Sequence, residues 1–401
     1  MIVFQVFLPF GVGYFLSYLL RAVNAVIAPD LIREMGLTAA DLGLLTSANF
    51  FAFAAFQLPL GIFLDRYGPR KTESALLLVA ALGALLFGRA SDLPDLILGR
   101  ALIGLGTSAC LMAALKAYAH WAPSDRLPLV TGFHMAFGGM GALTATKPVE
   151  MALAYTDWRG LFLILTGVVL AAAAFIFLAV PRRDRTVSTE TWGEMVDGIR
   201  QVFVSPAFHR LAPAAVVVQS GYIGIQSLWS GPWLRDVAGM SQDRMATHLL
   251  FIAACMVAGF LSMGTLADRL ARLGIRPISV GMTGMTLFTL NLTLIGILPP
   301  HISVVLWLLF GFLGTFGILP YSVVSQIFPS ALTGRAISGL NLLVFFGAFA
   351  AQWGIGAIIN LWPQPSPGHF APAGYHTAFL IVAGIQAAGL LWYALYNKVK
   401  I

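Results

Sequence analysis

Residues 61–71 read Gly61-Ile62-Phe63-Leu64-Asp65-Arg66-Tyr67-Gly68-Pro69-Arg70-Lys71, a polar turn set between two apolar runs. The second half of the chain repeats its G-x-x-x-D-R core as Gly264-Thr265-Leu266-Ala267-Asp268-Arg269, followed by Gly274 and Arg276. Outward from these turns lie apolar stretches at 4–28, 42–63, 73–89, 94–118, 128–150 and 160–180. A second set follows at 211–229, 246–266, 278–298, 302–325, 336–360 and 376–396. Each approaches the roughly 20 residues that a helix needs to cross a bilayer. The two turns join spans 2 to 3 and 8 to 9, equivalent places in two sets of six. Any inner loop collects arginines, but matched Gly, Asp and Arg at matched topology points to duplication.

Between the sets lies the one long polar segment, Pro181 to Arg210, with Arg182, Arg183, Asp184, Arg185, Glu190, Glu194 and Asp197. It reads as a hydrophilic linker carrying a short amphipathic helix. The expected organisation is an amino-terminal six-helix bundle over 1–180, a cytoplasmic linker over 181–210 and a carboxyl-terminal bundle over 211–401. The fold class is an all-α polytopic membrane protein, with twelve transmembrane helices in two pseudo-symmetric bundles and a central cavity at their interface.

Composition agrees. Of 401 residues 58% are apolar and 10% charged, whereas a soluble domain carries about 25% charged residues to face water. Soluble, disordered and fibrous classes are excluded. The net charge of +7 reflects where the cations fall, not a nucleic-acid partner. With the amino terminus inside, 15 Lys and Arg fall in cytoplasmic loops, among them Arg126, Arg272, Arg335, Lys398 and Lys400. The opposite side receives 5: Arg33, Arg89, Arg159, Arg235 and Arg244. That bias puts both termini in the cytoplasm of a multi-pass protein of the inner (plasma) membrane. The run from Phe4 to Ala28 has no positive region before it and is long enough to span, so it does not read as a cleavable signal peptide. Cys110 and Cys255 both fall in apolar runs and read as buried small residues, not as a disulfide or metal pair.

Gly61 to Lys71 resembles the loop 2–3 motif of the major facilitator superfamily, G-x-x-x-D-R-x-G-R-[RK], with Pro69 where an arginine is frequent. Leu96-x-x-x-Arg100-x-x-Ile103-Gly104-x-Gly106 resembles that family's helix 4 motif, with Ile103 in place of a polar residue. Helix 5 reads Gly138-Gly139-Met140-Gly141 and continues to Lys147-Pro148, without the Gly-Pro pair common in drug/proton antiporters. The resemblance implies alternating access, two halves rocking about a site near the midplane. It also implies a gate motif of Gly61, Asp65, Arg66, Gly68, Arg70 and Lys71, echoed by Asp268 and Arg269. Asp65 would accept from the amino end of a helix in the other half, latching the cytoplasmic side.

Ionisable groups inside spans cost about 2.5–3.5 kcal/mol each at a helix centre on insertion scales. The sequence assigns Arg21, Arg100, Lys116, Lys147 and Glu150 to span interiors and every other carboxylate to loops or helix ends. Four cations against one anion ask for a negative ligand. Arg21 leads, because Ser17 and Asn24 share its helix face, Tyr14 and Tyr18 lie close, and a guanidinium fork suits carboxylate or phosphate. Arg100, Lys116, Lys147 and Glu150 are charge or coupling candidates. Against that, Lys116 and Lys147 sit where they can snorkel, and Lys147 and Glu150 are spaced as a local ion pair.

The carboxyl-terminal half offers neutral stripes. Gln219, Tyr222, Gln226 and Trp229 share one face of helix 7, and Asn341, Phe345, Ala348 and Gln352 one face of helix 11. Tyr321 and Asn291 are weaker candidates, and His134 reads as packing before proton relay. Since helices 1, 4, 7 and 10 line the cavity in the family resembled, the helix 7 stripe reads as substrate contact. Polar stripes also bond helices together.

These residues lead to a secondary active transporter of a small anionic organic solute, importing it by proton symport and working as a monomer without cofactor or metal. The alternative is proton antiport exporting amphiphilic compounds or drugs. A membrane enzyme has no support from a Gly-x-Ser-x-Gly, H-E-x-x-H or phosphate-binding loop, and the linker is too short for a signalling domain.

Overall fold

A computed structural model describes residues 3–121, 127–181 and 192–396, which form helices joined by short turns, with no β-strand among them. Arg126, the linker's Arg182, Arg183, Asp184, Arg185 and Glu190, and Lys398 and Lys400 lie outside the described residues, as do the side chains of Glu194 and Asp268. Among the described residues ten helices are long and apolar enough to cross a membrane, eleven with one bent pair. The fifth apolar run, which folds as two helices in succession, completes the twelve-span, two-bundle fold.

Breaks in the spans fall where local chemistry loosens the backbone ladder. The first span is α1 (Leu8–Ala22) and α2 (Asn24–Met35), bent by 41°. Spans 2 and 3 form one run, α3 (Ala39–Arg89), whose only non-helical residue is Gly68 with φ 77°. That left-handed conformation is open to glycine without steric cost, and Thr72 Oγ1 donates to the Phe63 carbonyl at 3.0 Å across the turn. The loop 2–3 motif is thus a one-residue break at Gly68 between two helices, spans 2 and 3. The fourth span is α4 (Leu93–Thr107) and α5 (Cys110–Trp121). Thr107 and Ser108 hydroxyls bond back to the Ile103 and Leu105 carbonyls at 2.9 and 2.7 Å, a pattern that bends helices.

The fifth span is α6 (Leu127–Thr144) with α7 (Lys147–Leu153), and the sixth α8 (Trp158–Ala179). The linker carries the expected short helix, α9 (Trp192–Phe203). The seventh span begins at Pro206 rather than 211, because proline suits a first helical turn. It runs as α10 (Pro206–Gly224), a π turn (Ile225–Trp229) and α11 (Ser230–Asp236). Then come α12 (Gln242–Arg272), α13 (Pro277–Ile297) and α14 (Pro300–Leu313). A 3₁₀ turn (Gly314–Ile318) leads to α15 (Leu319–Ile327), followed by α16 (Ser330–Ile359) and α17 (Pro372–Leu395).

Within the first bundle α3 packs on α4 and α8, and α1 on α6; within the second α10 packs on α16 and α17, and α12 on α14. The bundles meet through α3 against α16, α6 against α12 and α2 against α11. Small residues make the approach close: a Cβ on Gly231 or Gly356 would collide with the carbonyl oxygen of Ala25 or Ala39, as expected where helices associate by packing. Nearer the end that carries the chain termini, α5 packs on α1, α3 and α6, and α15 on α10, α13 and α16, each on its own bundle. A cavity lies between the two bundles.

Candidate functional site

The cavity holds about 340 Å³ and takes walls from both bundles, a size suited to a small organic molecule. Tyr14, Ser17, Tyr18 and Arg21 enter from α1, Phe53 and Gln57 from α3, and Thr107 and Ser108 from the break in the fourth span. Gln219 and Tyr222 enter from α10, Gln226 from the π turn, Tyr321 and Ser322 from α15, and Asn341 and Phe345 from α16. Met112, Met135, Met256 and Phe260 supply apolar wall.

Arg21 is the cation of this cavity. Its guanidinium carbon lies 4.8 Å from the Tyr18 ring centroid, 5.4 Å from Phe53 and 5.1 Å from Phe345. Phe53 and Phe345, from opposite bundles, stack at 4.2 Å. Aromatic faces hold a cation by their quadrupole without consuming its N–H donors. Among the described residues no carboxylate lies within ion-pair distance of Arg21, and its buried Nε has no hydrogen-bond partner. Gln219 Oε1 and Tyr222 Oη are likewise buried and unbonded. The site therefore keeps donors and an acceptor uncommitted where buried polar groups are ordinarily satisfied. Gly314 and Gly317, in the 3₁₀ turn, make room for the Tyr222 ring and the Gln219 amide.

A second polar group joins the bundles. Asn341 Nδ2 donates to Gln57 Oε1 at 3.1 Å, and Tyr321 Oη donates to Asn341 Oδ1 at 3.1 Å. On the other side, Tyr14 stacks on His134 at 4.4 Å, and His134 Nδ1 meets Tyr118 Oη at 2.9 Å.

Asn24, Trp229 and Gln352 are not among the residues lining the cavity. Asn24 donates to Thr46 Oγ1 at 2.9 Å, Trp229 Nε1 to the Gln352 carbonyl at 2.9 Å, and Gln352 Nε2 to Ser227 Oγ at 2.9 Å. Each bonds one helix to the next, which residue spacing along a single helix does not distinguish from contact with a guest. Asn291 likewise donates to the Leu306 carbonyl at 3.2 Å.

Lys116, Lys147 and Glu150 have charged partners, whereas Arg100 has a carbonyl and aromatic rings and keeps Nε and one Nη unbonded among the described residues. Arg100 is wholly buried, donates to the Leu20 carbonyl at 2.6 Å and lies 5.2 Å from the Phe87 ring. Lys147 pairs with Glu150 at 2.6 Å and also with Asp243, across the bundle interface. Lys116 pairs with Asp65. Among the described residues Asp65 thus meets a lysine of its own bundle. The physical reason is position: α5 runs beside the kink and brings an ammonium to the carboxylate. Arg70 donates to the Val180 carbonyl at 3.2 Å and lies 4.6 Å from the Phe177 ring, while Arg66 stacks on Tyr67. Gly61 and Lys71 are exposed, as is Arg269.

The interior also holds a carboxylate that sequence reasoning left at a helix end. Glu73 is wholly buried. The signal was its place five residues beyond Gly68: because the turn takes a single residue, Glu73 already lies a full turn inside the third span.

The Major Facilitator Superfamily profile matches residues 10–352. The chain is 26% identical over 273 residues to the probable sulfoacetate transporter SauU of Cupriavidus necator, covering 64% of this chain and 63% of that one. It therefore spans less than two thirds of that relative's length. It is 24% identical to the D-galactonate transporter of Escherichia coli, over 95% of this chain and 92% of that one. Among solved structures, a D-xylose-proton symporter superposes with TM-score 0.78 over 99% of this chain and 98% of that one at 14% identity, a likeness of fold. On the profile match and the two-bundle fold, this chain belongs to the Major Facilitator Superfamily.

Proposed function

We propose that the chain is a secondary active transporter that carries a small organic anion across the plasma membrane by alternating access. The observation that carries this reading is Arg21, a cavity cation braced by rings of both bundles with no carboxylate partner among the described residues. A buried charge without a counter-charge is costly, and an anionic guest supplies one. Tyr14, Tyr18, Gln219, Tyr222, Gln226, Tyr321 and Asn341 would read the rest of the molecule. The named relatives carry a sulfonate or a sugar acid, both compatible with a guanidinium fork. In this reading both termini are cytoplasmic, residues 1–180 and 211–401 are the moving halves, the unit is a monomer, and protons accompany import.

The test is a thermal-shift panel on purified protein containing sulfoacetate, D-galactonate, succinate, inorganic phosphate and an amphiphilic cationic dye, followed by uptake into proteoliposomes. Stabilisation by an organic anion, lost in Arg21→Ala, is the expected result. A second reading, export of amphiphiles, draws on the apolar wall of Met112, Met135, Met256 and Phe260, since methionine adapts to varied surfaces. Stabilisation by the dye alone would favour it.

A further inference from the structure

We propose that Glu73 binds the proton that accompanies the anion, and that it acts on α1 at Gly13. This deepens the transport reading above and rests on it. Glu73 is wholly buried, and among the described residues its carboxyl oxygens have no hydrogen-bond partner beyond a weak contact with the Cys110 thiol. Among the described residues no cation lies within ion-pair distance of it. A bare carboxylate in such a place is costly, while the neutral acid is tolerated.

The surroundings place this acid beside the site without exposing it to the guest. From α1, Gly13 faces Glu73, and any Cβ there would collide with Glu73 Oε1. Ile176 of α8 borders the same point and is apolar. From α5, the Cys110 thiol lies beside the carboxyl group and Tyr118 within its electrostatic reach. Tyr118 in turn meets His134 of α6, which stacks on Tyr14 of the cavity wall. On its own helix the nearest cations are Arg70, bonded to the Val180 carbonyl, and the exposed Lys71.

Gly13 and Arg21 lie on the same helix, two turns apart, so pressure at Gly13 moves the anion-binding cation. With the acid neutral, α1 packs against it as seen. On release the proton leaves the carboxyl oxygen for water on the terminus-bearing side and the electron pair stays behind. The new charge then draws water or Arg21 toward it and repacks α1. Proton occupancy and the position of Arg21 are thereby coupled in one rigid element.

The experiment uses the reconstituted full chain as wild type, Glu73→Gln and Glu73→Asp. The probe is labelled D-galactonate or sulfoacetate, whichever raises the melting temperature in the panel above, with a pH-sensitive dye trapped inside the vesicles. Glu73→Gln should keep counterflow of the anion and lose both proton entry and accumulation driven by a pH gradient. A Glu73→Gln protein that still moves protons with the anion overturns the proposal. Infrared difference spectra give a readout that needs no anion: a carboxylic-acid C=O band present at neutral pH in the wild type should vanish in Glu73→Gln and shift in Glu73→Asp. Its absence from the wild type also overturns the proposal. A wild type that exchanges the anion without proton entry removes the coupling role and leaves the transport reading standing. If no anion binds or exchanges, the transport reading fails and the coupling role with it, while the infrared band still decides whether Glu73 holds a proton.

Discussion

The Arg100 guanidinium donates to the Leu20 carbonyl oxygen at 2.6 Å, tying α4 to α1 one residue before Arg21. Arg100 is wholly buried with the Phe87 and Phe162 rings 5.2 and 5.9 Å away. The family's helix 4 arginine here positions the helix that carries the cavity cation. A lysine would keep the charge and lose the planar faces. Arg100→Lys should therefore cost roughly 1–3 kcal/mol, from a charge-assisted hydrogen bond and cation–π contact. The check is the melting temperature in detergent; an unchanged value would mean that the guanidinium plane contributes nothing.

Arg21 sits between two bundles, so its aromatic bracket is testable apart from its charge. Arg21→Ala should abolish anion binding in a protein that still folds. Arg21→Lys should retain weak binding, because an ammonium is a point charge without the bidentate fork. Phe345→Leu removes one face and should weaken binding by about 0.5–1 kcal/mol. Isothermal titration with the stabilising anion measures all three. Equal affinity in wild type and Arg21→Ala would remove Arg21 from the site.

Much of this was legible in the sequence, and the misreadings share a cause. Twelve apolar runs and the duplicated G-x-x-x-D-R turn gave the two bundles, because hydrophobic length and topology are properties of a single segment. Arg21 with Tyr14 and Tyr18 was legible for the same reason, all three lying on one helix face. The pairing of Lys116 with Asp65, and of Lys147 with Asp243, depends on helices distant in the chain. The excess of interior cations over anions accordingly shrank once partners were in place. Asn24, Trp229 and Gln352 follow the right helical period, but period alone does not say which neighbour a face meets.

Lys147 reaches from α7 to Asp243 at the start of α12 and so joins the two bundles at the end away from the termini. Any conformation that opens that end must break this pair. Asp243→Asn should raise the population open on that side, though by only a few-fold, since exposed pairs are weak and screened by salt. Accessibility of a cysteine placed in the cavity to a membrane-impermeant reagent reports the change. The double variant Lys147→Gln with Asp243→Asn should be no more accessible than Asp243→Asn alone, since both remove the same contact between bundles, and the difference from wild type should fade at high salt.

Asp65 and Lys116 form a pair inside the first bundle, bridging the Gly68 kink to α5. If the pair holds the kink for gating, Asp65→Asn and Lys116→Gln should slow transport to a similar extent while leaving equilibrium anion binding nearly intact. The double variant should be no slower than either single one, since both remove the same contact. Counterflow rates and titrated affinities in the four proteins decide it. Additive rate losses would show that each residue acts through a different partner.

Gly104 tests whether the helix 4 motif is about packing. A Cβ at that position would sit 2.7 Å from the Asn49 carbonyl carbon and 2.8 Å from its Cα. These are backbone atoms of α3, which cannot step aside as a flexible side chain can. Overpacking of this kind costs about 1–3 kcal/mol or more, so Gly104→Ala should lower the melting temperature sharply or leave little folded protein. Gly167, in α8, is the control. Nothing lies within 4 Å of a Cβ there, and a mid-helix alanine is favoured over glycine by about 0.5–1 kcal/mol. Gly167→Ala should be neutral or slightly stabilising in the same melt. Equal behaviour of the two variants would mean that Gly104 serves something other than the approach of α4 to α3.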